Sequence, residues 1–279
     1  MITAKHYKSH VMQYLTNILN GDAENFSKFD THSLGVISKI KQCLEQCQNF
    51  AVEDSGRILN AGWGQLTNDA KLPFPAISIE YFNPDKTQLN KHFILATQLP
   101  NELQIYSFFA LSNNQWHLSP ISGVLSINKN IKKSYLNGDI SHKTLIPWMM
   151  KELDSEIIDM ITALSTIDMS VVLELMEALI CRNVYIETLE KGEHKKKNER
   201  RIKQGKIPLY ETKILVVNPA YKEIDKTDLG GTHASPRQHL RRGHIRRYAT
   251  YSVWINNTVV GKAENGIITK SYDVKGETK

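Results

Sequence analysis

A chain of 279 residues with 41% apolar and 23% charged residues is long enough for a sizeable core and too polar to lie within a membrane. Its three cysteines, Cys43, Cys47 and Cys181, cannot all pair, which excludes a disulfide framework. The formal charge of +6 is unevenly spread: residues 191 to 247 hold 16 Lys or Arg against 6 Asp or Glu, leaving 19 against 23 elsewhere. One cationic segment on an acidic-to-neutral body implies a polyanionic partner for that segment.

In chain order, Lys5, His6, Lys8 and His10 interrupt any secretory leader, so the expected compartment is the cytoplasm. "HVMQYLTNIL" places Val11, Tyr14, Leu15, Ile18 and Leu19 on one helical stripe ended by Asn20-Gly21-Asp22. "SLGVISKIKQCLEQCQNF" repeats it with Leu34, Ile37, Ile40 and Leu44, and a third amphipathic piece surrounds Ile58 before an "AGWGQL" turn. Cys43 and Cys47 lack the two-residue spacer of zinc sites, and His6 and His10 precede them; they read as reduced thiols, with no metal expected.

From Leu72 the period becomes two. "LPFPAISIEYF" alternates Ile77, Ile79 and Tyr81, and "KHFILATQL", "LQIYSFFAL" and "QWHLSPISGVLSI" follow. Asn113-Asn114 between two of these runs predicts a tight hairpin, and residues 76 to 128 an antiparallel meander. After Pro147 the apolar stripes of residues 149 to 192 predict two helices, the second capped by Asp168 or Ser170. The acidic residues in this stretch rule out a membrane span.

"EKGEHKKKNERRIKQGK" has almost no apolar residues and reads as a basic linker, mobile or partly helical. "TKILVV" is a buried-type strand, "IDKTDLGGTHASP" a loop, and "YSVWINNTVVG" and "GIITKSYDV" short strands with a turn at Asn256-Asn257. The expected fold is α+β: a helical and antiparallel-meander body over 1–188, a basic linker over 189–206, and a cationic β-rich module over 207–279.

Within that module, "HASPRQHLRRGHIRRY" gathers three histidines and five arginines in sixteen positions. If "GHIRRY" pairs with "YSVWIN", alternation sets His244, Arg246 and Tyr248 on one face. Ile245 then joins Val253 and Ile255 on the other, and Trp254 falls beside the cationic face as a stacking surface.

"GGTHASPRQHLRRGHIRRY" followed by "VWINNTVVG" resembles the C-terminal module of a family of uncharacterised bacteriophage and prophage proteins, which share a His-Ala-Ser-Pro-Arg-x-His-x-Arg-Arg-Gly-His-x-Arg-Arg core. "KLPFPAISIEYF" resembles the Leu-Pro-Phe/Tyr-Pro strand of the same family. The two motifs span about an eighth of the chain. The resemblance implies a phage-type accessory protein with one functional patch and brings no reaction with it.

The patch admits three readings. Arg237, Arg241, Arg242, Arg246 and Arg247, with Trp254, bind the phosphates and bases of RNA, DNA or another phosphate-bearing ligand. Alternatively, His239 and His244 act as base and acid of a metal-independent ribonuclease. In the third reading the cluster is structural, with Asp225 or Asp228 as partners, or binds an acidic host protein as an inhibitor. A three-histidine metal site of His233, His239 and His244 lacks a further Cys or carboxylate ligand. Walker, Rossmann and Gly-x-Ser-x-Gly motifs are absent, so no cofactor is expected.

Overall fold

The computed structural model describes residues 5–52, 56, 58, 72–84, 90–110, 115–126, 140–189, 194–217, 237–241, 244–248, 250–255, 258–260 and 262–267. The chain opens with α1 (Tyr7–Asn20), whose Val11, Leu15 and Ile18 are all buried. It stops at Gly21, where a φ of 85° lets the N–H reach the Asn17 and Ile18 carbonyls. In α2 (Thr31–Gln46) the Asp30 carboxylate caps the start, accepting the Ser33 N–H at 2.7 Å, and Ile37, Ile40 and Leu44 form the buried stripe. Both helices follow the sequence pattern.

Eight strands form the main sheet: β1 (Gln48–Ala51), β2 (Ala76–Phe82), β3 (Lys91–Gln98), β4 (Glu102–Ala110), β5 (Trp116–Ser126), β6 (Ile140–Thr144), β7 (Val184–Leu189) and β8 (Thr212–Val217). Their order is β6-β5-β4-β3-β2-β1-β8-β7. Strands β2 to β6 are the antiparallel meander, one strand longer than expected. The strand β1, absent from the sequence reading, runs parallel to both β2 and β8. The Asn113-Asn114 turn lies outside the described residues, although Ala110 and Trp116 pair on either side of it. The overall class is α+β, with a mixed sheet.

Helices cover both faces of this sheet. On one, Ile77, Ile79, Ile94 and Ile105 pack against Met169, Val172 and Met176 of α4 (Ser155–Ile180). On the other, Phe93, Leu95 and Phe108 pack against Val11, Leu15, Ile37 and Ile40 of α1 and α2. Double coverage explains why β2 and β3 are buried at successive positions rather than at alternate ones. The short α3 (Pro147–Glu152) adds Trp148 and Met149 to the second cluster.

Three expectations are corrected. The predicted pair of helices is a single 26-residue helix, α4, capped by Asp154, whose carboxylate accepts the Ile157 N–H. Asp168 caps nothing; it is buried within α4 and accepts a 2.7 Å hydrogen bond from the Tyr81 hydroxyl. Helix propensity runs unbroken through "STIDMS" because the apolar stripe continues and a sheet lies beneath it. The segment 184–189, expected to prolong that helix, is instead the edge strand β7.

The basic stretch takes the helical form among its expected alternatives. Residues His194–Lys203 form α5, and the chain folds back against it. The Asn198 side chain donates to the Leu209 carbonyl at 2.8 Å and accepts the Leu209 N–H at 2.7 Å, and Arg201 Nε donates to the Ile207 carbonyl. Beyond it β8, grouped by sequence with the C-terminal module, lies in the main sheet beside β1.

Polar groups also enter the core. Glu80, fully buried, accepts the Lys5 and Tyr7 N–H groups at 2.9 Å each and so closes the start of α1, where the N-cap His6 makes no side-chain cap. Lys8 is 2% exposed and donates to the Cys47 carbonyl at 2.8 Å, with the Tyr210 ring 4.3 Å away. No helix among the described residues is long and apolar enough to cross a membrane.

Candidate nucleic-acid interface

The C-terminal strands form two small sheets. β9 (Arg237–Arg241) pairs with β12 (Thr258–Val260) and β13 (Lys262–Ile267), while β10 (His244–Arg247) pairs with β11 (Ser252–Ile255). Arg237, His239 and Arg241 occupy alternate positions of β9. His244 and Arg246 do so on β10, where Arg247 is the last residue. The two histidines considered as an acid–base pair thus sit in different sheets. Arg242 and His233 lie outside the described residues, as do Asp225 and Asp228.

The hairpin register differs from the expected one. Ile245 pairs with Trp254, Arg246 with Val253 and His244 with Ile255. The backbone register thus opposes Trp254 to Ile245, one residue away from the alignment that parity counting expects.

The hairpin is anchored on the body. Cys181 and Ser252 form a parallel bridge, and the Arg182 N–H donates to the Ser252 carbonyl at 2.9 Å. Val253 is buried, and Ile245 packs against Ala178 and Cys181 at the end of α4. This docking assembles a stack that no local sequence pattern announces. The Arg182 guanidinium lies 4.1 Å from the Tyr251 ring centroid. The Tyr251 and Tyr248 rings are stacked at 4.5 Å and 19°, and Arg246 lies over Tyr248 at 5.0 Å.

Arg182 and Arg246 are exposed, whereas Tyr248 and Tyr251 are half-buried. Two solvent-facing cations therefore flank a pair of aromatic planes. Each cation–π contact is worth roughly 0.5–1 kcal/mol at an exposed site. Each tyrosine ring is thus covered on one face by the other tyrosine and on the second by a guanidinium.

A second cationic surface is α5. Lys195, Lys196, Lys197, Arg200 and Lys203 are exposed, against a single acid, Glu199. This helix lies on the α1 side, where the His194 and His6 rings meet edge-on at 5.2 Å. Among the described residues β7 is the edge strand of the main sheet, and it separates the two surfaces. Leu189, opposite Thr212, leads toward α5, and Val184, whose N–H bonds the Cys181 carbonyl, leads toward the stack. Five residue steps along the strand place those ends roughly 17 Å apart.

Sequence reasoning selects Arg246, sets Tyr248 on the same face, allows the lysine-rich stretch a partly helical form, and misses Arg182 and Tyr251. Alternating "KKKNERRIK" charge is a signal for an exposed helix; nothing in the sequence joins Arg182 to Tyr251. No group of three or more His, Cys, Asp or Glu suited to a metal ion occurs among the described residues. No family model, curated protein or solved structure matches this chain.

Proposed function

We propose that the protein binds single-stranded nucleic acid through two cationic surfaces, α5 and the Arg182–Tyr251–Tyr248–Arg246 stack. The stack carries this reading: its outer faces are guanidinium planes, on which an unpaired base stacks, with N–H edges for phosphates, the combination that single strands require and that duplex binding does not. A strand that engages both surfaces crosses the β7 edge. Arg237, Arg241, Arg242 and Arg247 extend the same cationic neighbourhood in sequence, and the resemblance to phage accessory proteins and a cytoplasmic location suit it.

Fluorescence anisotropy with a labelled 20-nucleotide strand and the matching duplex tests the reading. Preference for the single strand, weakened by Arg182→Ala, supports it; equal binding of both, or none, refutes it. A pull-down with and without nuclease separates it from the acidic-host-protein alternative, whose complex survives nuclease treatment.

A further inference from the structure

A cavity of about 440 Å³ opens between α1, the loop that follows it, the start of β5 and α3. Its walls are aromatic: Tyr14, Phe29, Trp116 and Trp148 converge without filling the space between them. Phe29 meets Trp148 edge-on at 5.4 Å, and Trp116 is fixed from behind by Tyr7 at 5.1 Å, so these rings are held in place rather than loose. An aromatic-walled cleft with a few polar groups is the form that small-molecule sites take.

The polar groups narrow the ligand. Asn25 brings an amide with donor and acceptor atoms like those that read base edges, and Asn17, whose Oδ1 accepts Gln13 Nε2 at 2.8 Å, adds its NH2 as a donor. Two wall nitrogens, His117 Nε2 and Trp148 Nε1, are closed off from solvent and have no hydrogen-bond partner among the described residues. Both residues line the cavity, and because these nitrogens are closed off, a ligand there meets their rings rather than these atoms. Asp22 and Glu24 line the cavity as well and are exposed, and no Lys or Arg is among the lining residues. Burial lowers the pKa of both His10 and His117, so neither adds a cation at neutral pH. Arg201 and Lys91 contribute to lowering that of His10, and Lys28 Nζ, 5.1 Å from the Trp148 ring centroid, is paired with Glu152 at 2.7 Å.

We propose that this cavity binds a purine-sized heteroaromatic ring without phosphate, a free base or a nucleoside. The aromatic walls sandwich the ring, the amides meet its edge, and the acids repel a phosphate tail. The proposal does not depend on the nucleic-acid reading, since none of the cations assigned to that reading lines the cavity.

Titration of intrinsic tryptophan fluorescence with adenosine, guanosine and adenosine 5′-monophosphate tests it. Saturable quenching by at least one nucleoside, with the monophosphate about tenfold weaker than adenosine or more, is expected. Ala23→Trp, which fills the cavity from the loop, abolishes binding while the far-ultraviolet circular dichroism and melting curve stay native. Should that variant fail to fold, Asn25→Ala at an exposed position serves instead and weakens binding. The pair Asp22→Asn/Glu24→Gln brings the monophosphate closer to the nucleoside in affinity. No saturable nucleoside binding, a preference for the phosphate, or unchanged binding in the cavity-filling and amide variants overturns the proposal.

Discussion

The guanidinium of Arg182 packs over the ring of Tyr251 at 4.1 Å, joining the end of α4 to the C-terminal hairpin across a long stretch of chain. The contact exists because the Arg182 N–H and the Cys181 backbone already hold Ser252 in place. If the pair is an energetic unit, Arg182→Ala and Tyr251→Ala should couple in a double-mutant cycle by about 0.5–1 kcal/mol in stability. Arg182→Lys should recover only part of this, because an ammonium keeps the charge and loses the plane. Chemical denaturation of the four proteins measures the coupling, and additivity would show that the two residues are merely neighbours.

The edge strand makes a different prediction. Glu187 is exposed near the middle of β7, between the two cationic surfaces, and opposes any phosphate that crosses there. Glu187→Lys should strengthen single-strand binding by a few-fold and leave the melting temperature nearly unchanged, since the side chain contributes little to packing. Weaker binding in this variant would mean that the strand takes another route.

Beneath α4, the Tyr81 hydroxyl donates to Asp168 at 2.7 Å, and His92 stacks on Tyr81 at 4.6 Å with its Nδ1 3.5 Å from the same carboxylate. All three are at most 2% exposed. Tyr81→Phe deprives a buried carboxylate of a partner and should cost about 1–3 kcal/mol. Urea unfolding monitored by circular dichroism gives the value. A change within experimental error would show that His92 alone satisfies Asp168.

Much of this architecture is legible in the chain. The α1 and α2 stripes end at Gly21 and begin at Asp30 as capping rules require, and β2 to β5 follow from alternation between turn residues. The failures have physical causes. β1 is only four residues long and is buried on both sides, so it carries no alternation to detect. β7 continues an apolar run that looks helical until its pairing with β8 is known. Asp168 resembles a cap because a polar residue inside a helix is read as a break, yet its partner, Tyr81, is far away in sequence. At the candidate interface, the arginine-rich motif is visible from composition alone. The register of the β10–β11 hairpin and the recruitment of Arg182 depend on tertiary docking.

Glu80 supplies a pH prediction. Burial pushes its carboxyl above the usual 4.5, against the downward pull of the Lys5 and Tyr7 N–H groups and the Asn49 amide. A raised folded-state value means that the folded chain holds this proton more tightly than the unfolded chain. The contribution is therefore complete below 4.5 and is lost as pH rises through the raised value. The stability difference between the native protein and Glu80→Gln should fall across that window and then level off. Denaturant unfolding at a series of pH values measures it, and a difference that grows with pH would reverse the assignment.

The most direct test of the central claim is the salt dependence of binding to a labelled single strand. Each phosphate-binding cation that is removed lowers the slope of log affinity against log salt by roughly 0.7. The native protein should show a steep slope, reduced by roughly 1.4 in Arg182→Ala/Arg246→Ala and by roughly 2 in Lys196→Ala/Lys197→Ala/Arg200→Ala. A salt-independent affinity, or slopes unchanged in both variants, would contradict the claim.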